Sequence, residues 1–214
     1  MTPISVLCLD MAGTTISDGE SVMTAFTAAL SAEALPVREF STAMRYVRAT
    51  MGQSKIEVFR HVLDDEAAAQ RANASFEAHY AKAVADGLIT AMPGAEDLLA
   101  AARDAIIGAL RWEGKADLLL SPADAGRGRP WPDMPLTALL RLGGGSVHEL
   151  AVAGDTPSDI EAGLRAGAGL VVGVLTGDSP RADLEAVPAA AGLPGTPVIL
   201  GSVAGLRPYL GLPG

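Results

Sequence analysis

The sequence predicts an α/β fold: a parallel sheet with a site at its strand ends, interrupted after the first strand by a purely helical stretch. Three observations predict it. Short apolar runs rich in branched residues recur at Ile4–Leu9, Ala116–Ser121, Glu149–Ala153 and Leu170–Leu175, as buried parallel strands do. Two of these runs lead into a carboxylate, Asp10 and Asp155, followed by small or hydroxyl residues and then a helical pattern. Between Thr15 and about Leu88 no strand pattern occurs, and apolar residues fall at helical spacing instead.

Taken in order, Ile4–Leu9 is the first strand, and Gly13 lets the backbone turn tightly after it. Val22, Phe26, Ala29 and Leu30 mark a helix that Asp18 or Ser21 starts. Pro36 separates it from a second helix with the face Phe40, Met44 and Val47. Ile56, Phe59, Val62 and Leu63 mark a third, and Glu66–Ala85 a fourth that is rich in Ala and charge. Met92-Pro93-Gly94 breaks the helical run, and Ala95–Ala102 continues as helix into Ile106, Ile107 and Leu110. Ala116–Ser121 is read as a strand. A loop over Gly126–Met134 opens a helix to Leu142, which Gly143-Gly144-Gly145 ends. Strand Glu149–Ala153 precedes a helix over Ile160–Ala166 that opens at Pro157 or Ser158. Leu170–Leu175 is a strand, Pro180–Gly195 is loop-like with room for a short helix, and Val198–Leu200 is a last strand.

Composition narrows the class. The chain has 214 residues, of which 49% are hydrophobic, so a substantial core can be buried and disorder is not expected. A net charge of −9 with few aromatic residues disfavours nucleic acid as a partner. Cys8 is the one cysteine, so no disulfide forms within the chain, and its place in a strand reads as a small buried hydrophobe. Neither a signal peptide nor a run long enough to span a bilayer is evident, and a cytoplasmic location away from membranes is expected.

In open α/β sheets, ligands bind beyond the carboxyl ends of the strands. Asp10 there is competent as a nucleophile or as a metal ligand, and equally as a cap with Thr14 and Thr15 as turn residues. Asp155 can share that edge, with Asp159 one helical turn further on. Two carboxylates converging without a basic partner invite a hard cation such as Mg²⁺, the alternative being two helix caps. Arg129 and Arg127 lie in the Gly- and Pro-rich loop, where a guanidinium would suit a phosphoryl group. Lys55 stands at a helix start, where a Lys is ordinarily solvated surface.

Asp10-Met11-Ala12-Gly13-Thr14-Thr15 resembles the first motif of the haloacid dehalogenase superfamily, and more narrowly its phosphonatase branch, phosphonoacetaldehyde hydrolase and its relatives. Most phosphatases of the superfamily carry a second Asp two residues after the nucleophile; the phosphonatase branch has Ala there, as this chain does at Ala12. Gly154-Asp155-Thr156-x-x-Asp159 with Glu161-Ala162-Gly163 resembles the last superfamily motif. Arg129-Pro130-x-Pro132-Asp133 resembles the one that brings a basic residue to the phosphoryl group. Met51-Gly52-x-x-Lys55 resembles the cap segment that carries the imine-forming Lys. The resemblance covers nearly the whole chain. It implies a Rossmann-like core over 1–17 and 89–214, with a helical cap over 18–88. It implies Asp10 as nucleophile, with Mg²⁺ on Asp10, Asp155 and the Ala12 carbonyl, and with Asp159 supporting the metal's water. Arg129 would serve the phosphoryl group and Lys55 an aldehyde, with Ala12, Gly13, Thr14 and Gly52 around the substrate. A homodimer through the cap is implied in the same way.

One piece of the family pattern is missing. No Ser or Thr occurs between Met92 and Lys115, where the family has a strand ending in a phosphate-binding hydroxyl. With that strand deleted, Ala116–Leu120 is predicted to pair directly with Ile4–Leu9, and activity is expected below that of an intact relative. Three functions therefore stand: a Mg²⁺-dependent phosphonatase-like hydrolase, a phosphomonoester phosphatase on a small metabolite, and an impaired or non-catalytic relative. The first joins Ala12 to Lys55, because a carbon leaving as an enamine needs no acid beside the nucleophile, whereas an alkoxide gains from one.

Overall fold

The computed structural model describes residues 3–18, 20–95, 97–98 and 117–212. The chain divides into two compact units, Met1–Ser17 with Ala91–Gly214, and Asp18–Thr90. The second crossing falls two residues later than the sequence reading places it. No helix among the described residues is long and apolar enough to cross a membrane.

The first unit is a four-stranded parallel sheet in the order β1 (Val6–Leu9), β4 (Leu150–Gly154), β5 (Leu170–Val174), β6 (Val198–Leu200). The register sets Leu9 against Ala153, Gly154 against Gly173 and Val172 against Val198, so strand ends and the loops beyond them line up on one edge. Strands β4 and β5 are buried at every residue, which is why Leu-Ala-Val-Ala-Gly and Leu-Val-Val-Gly-Val run apolar without alternation. Helices of this unit include α5 (Pro122–Ala125), α6 (Asp133–Arg141), α7 (Pro157–Ala166) and α8 (Arg181–Ala191). Gly163 lets α7 seat closely, since a Cβ there would lie 3.1 Å from side-chain carbons of both Val152 and Val171. Val6, Leu139, Leu150 and Val152 make one apolar cluster, and Ile160, Val171, Leu184 and Val187 another. Burial pushes the Cys8 thiol up to about 12, so it packs as a protonated, unreactive side chain. Two short strands, β2 (Ile16–Ser17) and β3 (Thr90–Ala91), form a second sheet.

The second unit is helical: α1 (Ser21–Ala32), α2 (Val37–Ala49), α3 (Lys55–Leu63) and α4 (Glu66–Ala85). Its centre is an aromatic cluster, with Phe26 5.0 Å from Phe59 and 4.8 Å from Phe76 between ring centroids. Ala69 and Ala72, both fully buried, are small enough for α4 to pack closely against it. That explains why an Ala-rich helix still has a core face.

Three expectations need correction. The strand read at Ala116–Ser121 is absent over the described Leu118–Ser121, and β1 pairs with β4 alone among the described residues. Leu118 and Leu120 become partly buried by packing against the cluster of Val6, Leu139, Leu150 and Val152, while Leu119 stays 52% exposed. Pro122 has no amide to offer a ladder, and a Ser121–Asp124 capping box turns the chain into α5 directly. Pro180–Gly195 is mostly helix rather than mostly loop: the short helix allowed for there is α8, which spans eleven of its residues and is held by buried Leu184 and Val187 one turn apart. The stretch Thr15–Leu88 is not wholly free of strand, since Ile16–Ser17 pairs. Of the helix expected to run from Ala95 to Leu110, Ala95, Asp97 and Leu98 are helical; residues 99–115, and Ala116 of the expected strand, lie outside the described residues. The final turn, Val203–Leu210, is a 3₁₀ helix that periodicity does not foretell.

Candidate active site

Asp10 follows β1 directly, and its amide donates to the Ala153 carbonyl at 2.9 Å, tying the two strand ends together. The chain then folds into a compact loop. The Met11 carbonyl accepts from the amides of Thr14, Thr15 and Ile16, and the Gly13 amide returns to the Ile16 carbonyl at 2.8 Å. This pattern uses the Met11 and Ile16 carbonyls and not that of Ala12. Gly13 has φ +79°, and a Cβ there would overlap the Asp155 carboxylate, so glycine is required on both counts. Thr14, fully buried, donates its hydroxyl to Asp155 Oδ1 at 2.9 Å. Thr15 donates to the backbone carbonyls of Asp10 and Met11 at 3.1 and 3.3 Å.

Asp155 lies just past β4 and Asp159 in the first turn of α7. Asp10, Asp155 and Asp159 each present an oxygen within 4.8 Å of the others. Asp159 serves two ends at once. One oxygen completes a capping box with Thr156, accepting from its amide at 3.0 Å and its hydroxyl at 2.5 Å. The other accepts from Arg129 Nη1. Arg129 Nη1 also donates to Asp10 at 2.5 Å, so one guanidinium bridges two carboxylates. Its Nε is buried without a hydrogen-bond partner among the described residues, a donor that an incoming anion would satisfy. Arg127 goes elsewhere: it pairs with Asp133 at 2.8 Å, and its guanidinium lies 4.4 Å from the centre of the Trp131 ring.

Three carboxylates around one guanidinium leave an excess of buried negative charge. Burial, then repulsion from Asp10 and Asp159, raises Asp155 from 3.8 to about 7. Burial likewise raises Asp10, against the attraction of Arg129. Burial alone would lower Arg129, but Asp10 and Asp159 more than offset it and keep it charged. The donor set is hard oxygen, over-charged and cradled by glycines, and it fits a hard divalent cation. A testable consequence follows for pH. Because Asp155 binds its proton more tightly folded than unfolded, the metal-free protein loses stability as pH rises from about 4 to about 7. A cation competes with that proton. Its stabilisation is therefore expected to be larger at about pH 8 than at about pH 6, roughly tenfold in affinity per pH unit below 7, as read by thermal unfolding with and without Mg²⁺. Equal Mg²⁺ effects at both pH values would contradict the assignment of Asp155.

Lys55 and Gly52 belong to the helical unit. Gly52, φ +86°, forms the turn between α2 and α3, and Lys55 is the first residue of α3. The Lys55 Nζ lies 5.8 Å from the centre of the Phe26 ring.

Sequence reasoning passed over one side of the site. The loop after β5 carries Thr176, whose hydroxyl donates to the Gly13 carbonyl at 2.5 Å, and Gly177, where a Cβ would overlap the Asp155 carboxylate. The signal was available: Thr176-Gly177 follows a strand at the same sheet edge as Asp10 and Asp155, the edge where ligands bind.

A family of haloacid dehalogenase-like hydrolases matches the chain over residues 4–167. No curated protein matches it. Among solved structures, the chain is similar to a hydrolase from Pseudomonas syringae, with 22% identity and a TM-score of 0.76 over 96% of this chain and 97% of the other. It is similar to a phosphonoacetaldehyde hydrolase-like protein from Oleispira antarctica, with 23% identity and a TM-score of 0.68 over 98% and 92%. It is also similar to a predicted phosphoglycolate phosphatase from Haemophilus somnus 129pt, with 16% identity and a TM-score of 0.74 over 98% and 99%.

Proposed function

The chain belongs to the haloacid dehalogenase-like hydrolases, and from that premise we propose a Mg²⁺-dependent hydrolase of the phosphonatase-like kind. It cleaves the P–C bond of phosphonoacetaldehyde or a similarly small aldehyde phosphonate, with Asp10 as the phosphoryl acceptor. The observation that carries this reading is the absence of an acid in the Asp10 loop. Position 12 is a methyl group, Thr14 is engaged by Asp155, and Thr15 by backbone carbonyls. A leaving alkoxide gains from a proton delivered beside the nucleophile; a carbon leaving as an enamine does not. The name of the similar Oleispira protein, a phosphonoacetaldehyde hydrolase-like protein, supports the same branch.

Lys55, as the free amine, condenses with the substrate aldehyde, releasing water, and the imine takes a proton from solvent to become an iminium. Asp10 attacks phosphorus, the P–C bond breaks, and its electron pair passes into the iminium to give a neutral enamine. Water protonates the enamine carbon and hydrolyses the imine, freeing acetaldehyde and Lys55, while a second water releases phosphate from Asp10. Arg129 holds Asp10 in place through Nη1 and offers its unpartnered Nε to a phosphoryl oxygen. When bound, Mg²⁺ offsets phosphoryl charge as a Lewis acid, and Asp10, Asp155 and the Ala12 carbonyl would hold it, with Asp159 behind.

Lys55→Arg keeps the charge but forms no imine, so phosphonate cleavage is expected to fall below detection. Borohydride with the aldehyde substrate should trap a covalent adduct on wild type and none on Lys55→Arg. Retained cleavage in the variant would instead favour a phosphomonoesterase. The rate of wild type is expected to lie well below an ordinary turnover of about 10 s⁻¹. No Ser or Thr between Met92 and Lys115 can donate to the phosphoryl group, and one lost donor costs roughly 10²–10³ in rate.

A further inference from the structure

We propose that Thr176, with Gly177 beside it, is a positioning residue that sets the Asp10 loop on Asp155 and so shapes the cation site. Thr176 follows β5 by two residues and is 163 positions from Gly13 in sequence, yet its hydroxyl donates to the Gly13 carbonyl at 2.5 Å. Gly13 holds the one left-handed conformation of the loop, so its carbonyl direction fixes the following peptide plane. That plane carries the Thr14 amide to the Met11 carbonyl at 3.2 Å, and it aims the Thr14 hydroxyl at Asp155. The chain of contacts is continuous: Thr176 to Gly13, Gly13 to Thr14, Thr14 to Asp155.

Gly177 approaches the same Asp155 oxygen, Oδ2, as Gly13 does. Any side chain there would overlap Asp155, as any side chain at Gly13 would. Asp155 is thus packed against two residues that tolerate no Cβ, and the hydroxyl joining their loops is that of Thr176. The strand that leads to Thr176 is anchored independently, with the Leu175 amide just past β5 donating to the Leu200 carbonyl at 3.0 Å. The end of β5 is therefore a fixed post for a loop that is tied elsewhere by the Asp10 amide to Ala153, by Thr14 to Asp155 and by the Met92 amide to the Thr15 carbonyl at 2.8 Å. Loosening the Thr176 clamp frees Asp155 and the Ala12 carbonyl together. Only this consequence for Mg²⁺ rests on the hydrolase reading; the clamp itself does not.

The test uses the full chain as wild type, Thr176→Val, which keeps the shape and removes the donor, and Thr176→Ser, which keeps the hydroxyl. Amide hydrogen exchange in the metal-free proteins reads the clamp. Peptides over residues 11–16 are expected to exchange roughly 5–10-fold faster in Thr176→Val, with β4 and α8 unchanged, and to return to within about twofold of wild type in Thr176→Ser. Mg²⁺ titration followed by melting temperature reads the consequence, with the midpoint raised about tenfold in Thr176→Val and restored in Thr176→Ser. Unchanged exchange over 11–16 in Thr176→Val overturns the clamp, as does acceleration spread evenly over the unit or a failure of Thr176→Ser to restore the loop. A wild type that Mg²⁺ does not stabilise sinks the metal in the functional reading, while the exchange result still decides the clamp.

Discussion

Asp10→Asn is expected to abolish phosphate release, with turnover down by on the order of 10⁴-fold or more. The amide is close to isosteric, but it is no nucleophile toward phosphorus, and nothing nearby replaces it. Asp155 and Asp159 are each committed, one to Thr14 and the other to Thr156 and Arg129. The fold should survive. The Asp10 amide still ties to Ala153, and removing one of three clustered carboxylates relieves repulsion on Asp155. The Asp155 titration is accordingly expected to move down from about 7 in the variant, which separates a chemical defect from a folding one. Phosphate release above about one per cent of wild type would remove Asp10 from the role of nucleophile.

Arg129→Met has the second largest expected effect, and it acts on stability as well as rate. The Arg129 side chain is 20% exposed and neutralises Asp10 and Asp159 together. Breaking a buried pair by removing one partner costs about 3–5 kcal/mol, because the stranded charges remain buried. The metal-free variant should therefore melt well below wild type, with Mg²⁺ recovering part of the loss. Turnover should fall by roughly 10²–10³, the usual cost of one lost donor to developing charge. Arg129→Lys keeps the charge but not the planar fork, so it should rescue stability more than rate. A Met variant that melts and turns over as wild type does would mean that the guanidinium bridge has no role in the site.

How much of this was legible depends on how local each signal is. Asp10, Asp155 and Arg129 sit in short motifs whose neighbours dictate the turn, so their place at one edge could be read before any coordinates. The helical faces around Phe26, Val47 and Phe59 were legible for the same reason, since periodicity is a property of a few turns. What failed was long-range or compositional. Ala116–Ser121 has strand composition, yet a strand needs a partner as well as a pattern. Leu118 and Leu120 found partial burial by packing, and Pro122 closed off a longer run. Arg181–Ala191 looked like loop because Ala, Gly and Pro dominate its surroundings, while the two residues that decide it, Leu184 and Val187, are a weak pattern alone. Arg127 and Arg129 were alike in sequence, and only the fold separates a surface stack on Trp131 from a bridge between carboxylates. Thr176 was passed over because its partner is 163 residues away, and its one local signal is its place after a strand at the ligand edge.

The central claim is P–C cleavage by an acid-free nucleophile loop, and phosphate release from phosphonoacetaldehyde tests it most directly. The assay sets wild type beside Asp10→Asn in Mg²⁺, with a panel of small phosphate monoesters in parallel. The expected result is phosphate and acetaldehyde in equal amounts from the phosphonate, by wild type alone and with monoesters turned over more slowly. Monoesters hydrolysed faster than the phosphonate, or phosphate release that Asp10→Asn leaves intact, would contradict it.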